Sequence, residues 1–226
     1  LYIFVHSFGI YYHNIKYFIS YQKHSHHYFF ILSKCYDCRW ENEKRIIMRF
    51  KVGDYFPDFI FNTAYRKNLQ VHEVLDKETV FWCIRYIGCP VCRYDVHCIK
   101  EKYAENQKKN AQVFVVMQSD QKHIQDVIKE DELPFEIICD PEKKFYNELE
   151  IDPALSKEEL IGHNTDELEQ KRQACKELGY THGDYEGDEL QLPALFIVNK
   201  KGIIKYVKYG DSLVSLPTVD ELIDLL

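Results

Sequence analysis

Downstream of residue 48, apolar positions alternate between strand-like and helix-like periods in a regular order. KVGDYFPDFIFNT (51–63) alternates apolar and turn residues after a Gly-Asp turn, which predicts a short lead-in strand. TVFWCIRYI (79–87) is a near-continuous apolar run rich in β-formers, bounded by Lys77-Glu78 and Gly88, and predicts a central buried strand. After GCPVCR the period changes. Val96, Ile99 and Tyr103 recur at helical spacing with Lys and Glu on the opposite face, so 94–110 reads as a helix.

AQVFVVMQS (111–119) predicts a second buried strand. DQKHIQDVIKEDE (120–132) predicts a helix with Ile124, Val127 and Ile128 on one face and Asp120 as its cap. FEIICD (135–140) is a third strand, and PEKKFYNELE (141–150) a helix begun by Pro141. The stretch 152–190 is polar and Gly-interrupted, with one helix, TDELEQKRQACKELG, capped by Thr165 or Asp166 and stopped by Gly179. LPALFIVNKKGIIKYVKYG (192–210) gives two strands about a compact Asn-Lys-Lys-Gly turn, and TVDELIDLL a last amphipathic helix. Successive strand–helix–strand units require parallel pairing through crossover helices, and the hairpin adds an antiparallel edge. The expected fold is therefore α/β: a mixed central sheet flanked by helices, with an insert before the final hairpin.

Composition divides the chain. Residues 1–47 carry six Lys and Arg against three Asp and Glu, a balance of +3, while the remainder stands at −10. The same stretch holds five of ten His and seven of seventeen Tyr. We therefore expect a folded unit over 48–226. Residues 1–47 are expected to be an atypical extension, either poorly ordered or translated upstream of a start at Met48. A membrane-surface segment is the alternative. That stretch lacks the basic, apolar and small-residue regions of a secretory signal, and no run reaches ~18 apolar residues.

The net charge of −7 predicts no affinity for nucleic acid or anionic membrane. Eight irregularly spaced Cys do not make a disulfide scaffold, so a reducing cytoplasm is the expected compartment. Cys83, Cys98 and Cys139 fall in apolar or half-apolar runs and read as reduced core cysteines.

Cys89 and Cys92 stand apart, in a C-x-x-C placed between a buried strand and the first turn of a helix. Orphan N–H groups and the positive helix end lower a thiol pKa there. Cys89, nearer the helix start, is expected to be the attacking and more exposed sulfur, with Cys92 one turn on to resolve it. Pro90 suits the first helical turn, and Arg93 adds positive potential nearby. Half a zinc site has the same spacing, and Cys35 with Cys38 supply the other half of a four-cysteine alternative. Pro193 precedes a predicted strand that has no room for it in a sheet interior. A cis Leu192–Pro193 bond would explain it and leave the Leu192 backbone free to hold a substrate, while a strand-start proline is the plainer reading. Asp54, Asp58 and Asp120 read as turn and cap residues. The acidic HGDYEGDE reads either as a cation site or as an exposed loop.

The segments KVGDYFPDF, YIGCPVCR, VFVVMQSD, FEIICDP and LPALFIVNKKGII, in this order, resemble the thioredoxin superfamily. Within it they are similar to the peroxiredoxin-like members of the alkyl hydroperoxide reductase/thiol-specific antioxidant group. The resemblance implies a thioredoxin-like fold. It makes Cys89 the peroxidatic or first thioredoxin-type cysteine, Cys92 the resolving one, and Pro193 the cis-proline position. Peroxiredoxins of the usual pattern carry Pro seven residues and Thr three residues before the peroxidatic Cys, where this chain has Trp82 and Tyr86. They also carry an Arg before the FIV-type strand, where this chain has Pro193. Tyr86 is then the candidate hydroxyl and Arg85 or Arg93 the candidate charge.

The implied activity is a thiol-dependent antioxidant oxidoreductase. Cys89 reduces a peroxide or a disulfide, Cys92 closes the disulfide, and an external dithiol such as thioredoxin reopens it. This chemistry calls for no metal, haem or flavin cofactor, and relatives of this kind often pair as homodimers. The competing readings are a protein disulfide reductase with negligible peroxidase activity, a redox-inactive interaction module, and a zinc-stabilised structural protein.

Overall fold

The computed structural model describes residues 49–226 and, before them, three strands as backbone only. The chain divides into two units, Leu1–Ile46 and Ile47–Leu226. In the first, β1 (Ser7–Tyr12), β2 (Ile15–His24) and β3 (His27–Lys34) pair as an antiparallel meander in the order β1-β2-β3. Cys35 and Cys38, the far half of the zinc alternative, lie outside the described residues.

The second unit runs β4 (Ile60–Thr63), β5 (Leu69–Gln70), α1 (Val71–Val74), β6 (Glu78–Cys83), α2 (Pro90–Lys108), β7 (Ala111–Met117), α3 (Gln121–Val127), β8 (Glu136–Cys139), α4 (Lys144–Glu148), α5 (Lys157–Ile161), α6 (Thr165–Glu177), β9 (Ala194–Val198), β10 (Ile204–Tyr209) and α7 (Val219–Leu225). Its seven strands are ordered β10-β9-β6-β7-β8-β4-β5. The β6–β7 and β7–β8 pairs are parallel, as the crossover argument requires, and β9 joins β6 antiparallel. Thus β6 is one of the central strands, beside β7 in the middle of the sheet, hydrogen-bonded on both edges and covered on both faces.

Alternation along β6 divides the core. Val80 and Trp82 face one way with Val113, Val115, Leu195 and Ile197, against Val96 and Ile99 of α2, Leu168 of α6 and Leu222 of α7. Phe81 and Cys83 face the other way with Phe114, Val116 and Phe196, against Phe145 and Tyr146 of α4. The Phe56 and Phe81 rings stack at 4.5 Å on that second face. A mixed sheet with helices on both sides is the expected α/β architecture. Among the described residues, no helix is long and apolar enough to cross a membrane.

Several boundaries differ from expectation for identifiable reasons. The 79–87 run leaves regular pairing after Cys83, yet Ile84 N–H still donates to the Val116 carbonyl (3.0 Å) and Gln118 N–H to the Arg85 carbonyl (2.8 Å). Helix α4 begins at Lys144, not at Pro141. The Asp140 carboxylate accepts from the N–H groups of Lys144, Phe145 and Tyr146 at 2.8, 2.7 and 3.3 Å, which fixes the start there. The insert holds a second helix, α5, capped by Ser156. Asp120 caps α3 as expected, through His123 N–H at 2.8 Å.

Candidate active site

The chain leaves β6 through Ile84–Gly88 and enters α2 with Cys89 as N-cap and Pro90 as the first helical residue. The turn is tied from several sides. Tyr146 donates its hydroxyl to the Ile84 carbonyl, and Ile87 N–H donates to Ser119 Oγ (2.9 Å). Residues 182–189 lie over the turn as a strap. Gly183 N–H donates to the Gly88 carbonyl (2.8 Å), and a Cβ on Gly88 would stand 2.2 Å from the Asp184 carbonyl oxygen. Only glycine permits that backbone approach.

Cys89 is 1% exposed and is a free thiol, as is the equally buried Cys92. This corrects the expectation that Cys89 would be the more exposed sulfur. The strap and α6 close over a position that an isolated helix end would leave open. Arg85 Nη2 donates to Cys89 Sγ at 2.9 Å, while its Nη1 is anchored on the Glu189 carbonyl at 2.7 Å. The Cys89 pKa is pushed down to about 6, chiefly because the Cys92 thiol hydrogen-bonds to it, with burial opposing and the Arg85 charge assisting. Burial pushes the Cys92 thiol well above the ordinary range, with the Cys89 charge adding to it. The two sulfurs are therefore differentiated: a thiolate at Cys89 and a neutral thiol donor at Cys92.

The remaining candidates are placed as follows. Tyr86 is buried, and its hydroxyl pairs with His182 Nε2 at 3.3 Å rather than with the sulfur. Arg93 stacks on the Tyr180 ring at 4.4 Å, and so the cation on Cys89 comes from Arg85. Pro193 stands just before β9, against Gly210, whose N–H donates to its carbonyl at 2.8 Å. The peptide bonds of the described residues are all trans, so the cis reading of Leu192–Pro193 is corrected and the plainer one, a proline at the strand start, remains. Nor is the Leu192 carbonyl free: buried Gln191 donates its Nε2 to it at 3.1 Å. Proline is accommodated because it stands just before the first ladder residue of β9, where no strand partner needs its N–H. Asp54 accepts from Lys51 N–H as a turn residue, and Asp58 accepts from His72 N–H and pairs with its ring at the start of α1, as a cap. Among the described residues, no group of three His, Cys, Asp or Glu side chains is gathered as a metal would need.

Two features of the site carry no motif in the sequence. Cys175 of α6 is buried and donates to the Pro90 carbonyl at 3.3 Å. Next to it, Lys171 of α6 pairs with Asp95 of α2 at 2.8 Å, a largely buried ion pair that fixes the insert against the helix bearing the cysteines. Gly179 and the acidic run beyond it gave no signal that this segment returns to the site.

A buried thiolate with an arginine on its sulfur, at the helix end after a central strand of a thioredoxin-like sheet, defines a thiol-dependent oxidoreductase. The chain belongs to the AhpC/TSA family, whose model matches residues 52–207. No curated protein matches it in sequence. Among solved structures, it is similar to AhpC of Enterococcus faecalis, with 15% identity and a TM-score of 0.54 over 77% of this chain and 89% of that one. It is also similar to a variant of peroxiredoxin 6 of Arenicola marina, with 14% identity and a TM-score of 0.55 over 77% and 70%. The reduced 2-Cys peroxiredoxin of Plasmodium vivax matches with 11% identity and a TM-score of 0.55 over 76% and 78%. At these identities the likeness is one of fold.

Proposed function

We propose that the chain is a thiol peroxidase in which Cys89 is the peroxidatic cysteine and Cys92 resolves it. The observation that carries this reading is the Cys89 sulfur, held as a thiolate under Arg85 Nη2 at 2.9 Å. The thiolate attacks one peroxide oxygen, the S–O bond forms as O–O breaks, the other oxygen leaves as hydroxide and takes a proton from solvent, and Cys89 becomes a sulfenic acid. Cys92 then loses its proton and attacks Cys89 Sγ, expelling water and closing a disulfide. An external dithiol, of the thioredoxin type, restores both thiols. Arg85 supplies the charge that the usual arginine would bring, and its Nε has no partner among the described residues, which leaves one buried N–H for a substrate oxygen.

A disulfide substrate is the second reading. It is favoured by the engagement of Tyr86 with His182, which leaves no side-chain hydroxyl on the Cys89 sulfur. Stopped-flow oxidation of the prereduced protein by hydrogen peroxide, with Cys89→Ser as control, separates the two. Second-order oxidation well above that of a free thiol supports the peroxidase. A rate no better than a free thiol overturns it in favour of disulfide exchange.

A further inference from the structure

The pocket that reaches Cys89 is larger and more cationic than hydrogen peroxide requires. Its volume is about 300 Å³, and its lining includes Arg85, Arg172 and Lys176 of α6, and His182 of the strap. Leu168 and Leu213 give it apolar wall. No Asp or Glu lines it, in a chain whose net charge is −7. Arg85 is matched by the Cys89 thiolate itself. Arg172 and Lys176 share a single carboxylate, Glu169, at 3.7 and 4.0 Å, so one positive charge stays uncompensated at the rim. Hydrogen peroxide is neutral, scarcely larger than water, and would use neither the apolar wall nor these cations. A pocket at the lower end of the small-molecule range, apolar within and cationic at its mouth, suits an organic anion.

Resting on Cys89 as the redox nucleophile, we propose that this pocket takes a low-molecular-weight anionic oxidant, its reducible bond at Cys89 and its carboxylate met by Arg172 and Lys176. The reducible bond is O–O or S–S. With a hydroperoxide, the thiolate attacks the terminal oxygen, the S–O bond forms as O–O breaks, and the carboxylate-bearing alkoxide leaves and takes a proton from water. With a disulfide, Cys89 bonds to one sulfur and the other leaves as thiolate. Cys92 then loses its proton, attacks Cys89 Sγ and expels the second thiolate. The external dithiol reduces the Cys89–Cys92 bond in both cases.

The test is stopped-flow oxidation of the prereduced protein by anionic dithiodipropionate, neutral hydroxyethyl disulfide, cationic cystamine, neutral tert-butyl hydroperoxide and a carboxylated analogue of it. Each rate is divided by that of mercaptoethanol with the same reagent, which cancels intrinsic reactivity. The anionic reagent of one pair should exceed its neutral counterpart by about tenfold, and the pair that shows this identifies the bond. Reversing both rim charges (Arg172→Glu with Lys176→Glu) should remove that preference, and Glu169→Gln should increase it. In the unaltered protein, salt at about 0.5 M should also weaken it, a measurement that needs no variant to fold. Equal normalised rates for anionic and neutral reagents, or a preference untouched by charge reversal and by salt, would overturn the proposal. Rates at the mercaptoethanol level for every reagent would instead overturn the role of Cys89.

Discussion

Replacing Arg85 by Met keeps much of the side-chain length and removes the guanidinium that donates to Cys89 Sγ at 2.9 Å. Cys89 stands at about 6 against an ordinary 9.0, a difference of about 4 kcal/mol at 1.36 kcal/mol per pH unit. Cys92 supplies the largest favourable part and burial acts against it, so Arg85 accounts for a portion only. A hydrogen bond to a charged group contributes about 1.5–3 kcal/mol. Its loss therefore raises the Cys89 pKa by about one to two pH units, to about 7–8. At pH 7 the thiolate fraction falls from about nine-tenths to between about a half and a tenth, and peroxide oxidation slows about two- to tenfold. At pH 9 the thiolate fraction recovers to about nine-tenths or more, so any rate deficit that persists there reports the loss of the Arg85 contact with the substrate oxygen. The direct assay is ultraviolet thiolate absorbance across pH, taken as the difference between each protein and its Cys89→Ser counterpart so that the other cysteines cancel. Arg85→Lys, which keeps the charge and loses the fork, should fall between the two. A Cys89 pKa still at about 6 in Arg85→Met would refute the assignment and leave the hydrogen bond from Cys92 as the sole agent.

The same thiolate gives stability a pH dependence. Because the folded pKa of about 6 lies below the unfolded 9.0, the unfolded chain binds more protons between these values. Stability from this group is complete above pH 9 and is lost as pH falls through 6. Urea unfolding of the reduced protein and of Cys89→Ser should differ by up to about 4 kcal/mol more at pH 9 than at pH 6, and a constant difference would count against the linkage. Lys171→Met strands the Asp95 carboxylate in the α2–α6 interface and should cost about 3–5 kcal/mol, most of it recovered on adding Asp95→Leu. A loss under about 1 kcal/mol would show the pair to be well hydrated. Gly88→Ala places a Cβ against the Asp184 carbonyl and should displace the strap at a cost of about 1–3 kcal/mol. Cleavage by a glutamate-specific protease after Glu186 or Glu189 should then quicken, and unchanged protection would mean that the turn yields instead.

The elements that hold the cysteines were legible because their signals are local. The 79–87 run fixes a central strand by apolarity alone, and Pro90 after Cys89 marks the helix start. What escaped depends on partners distant in sequence. Nothing near Cys89 says that residues 182–189 will cover it, so its burial was unreadable. The choice between Arg85 and Arg93 was also decided from afar: Glu189 draws Arg85 across the sulfur, and Tyr180 draws Arg93 away. Of the two readings of Pro193, the trans one holds, and the Leu192 carbonyl is not free for a substrate because the neighbouring Gln191 side chain donates to it. Helix α5, at five residues, is too short to show a period, and α4 was misplaced because Asp140 takes the role expected of Pro141.

The strap over Gly88 also bears on which reagents can reach the sulfur, and when. Cys89 is 1% exposed and lines the pocket between α6 and the strap, which admits a small thiol, whereas the dithiol of a folded protein would reach it only if residues 182–189 moved aside. Recycling by such a partner would then level off with its concentration at the frequency of lifting, not at the speed of sulfur exchange. In the proposed mechanism the same delay would favour resolution by Cys92. While the strap is down, a sulfenic acid at Cys89 has Cys92 as its near neighbour and is screened from bulky second oxidants, so the order of events at this sulfur is set by a few backbone contacts.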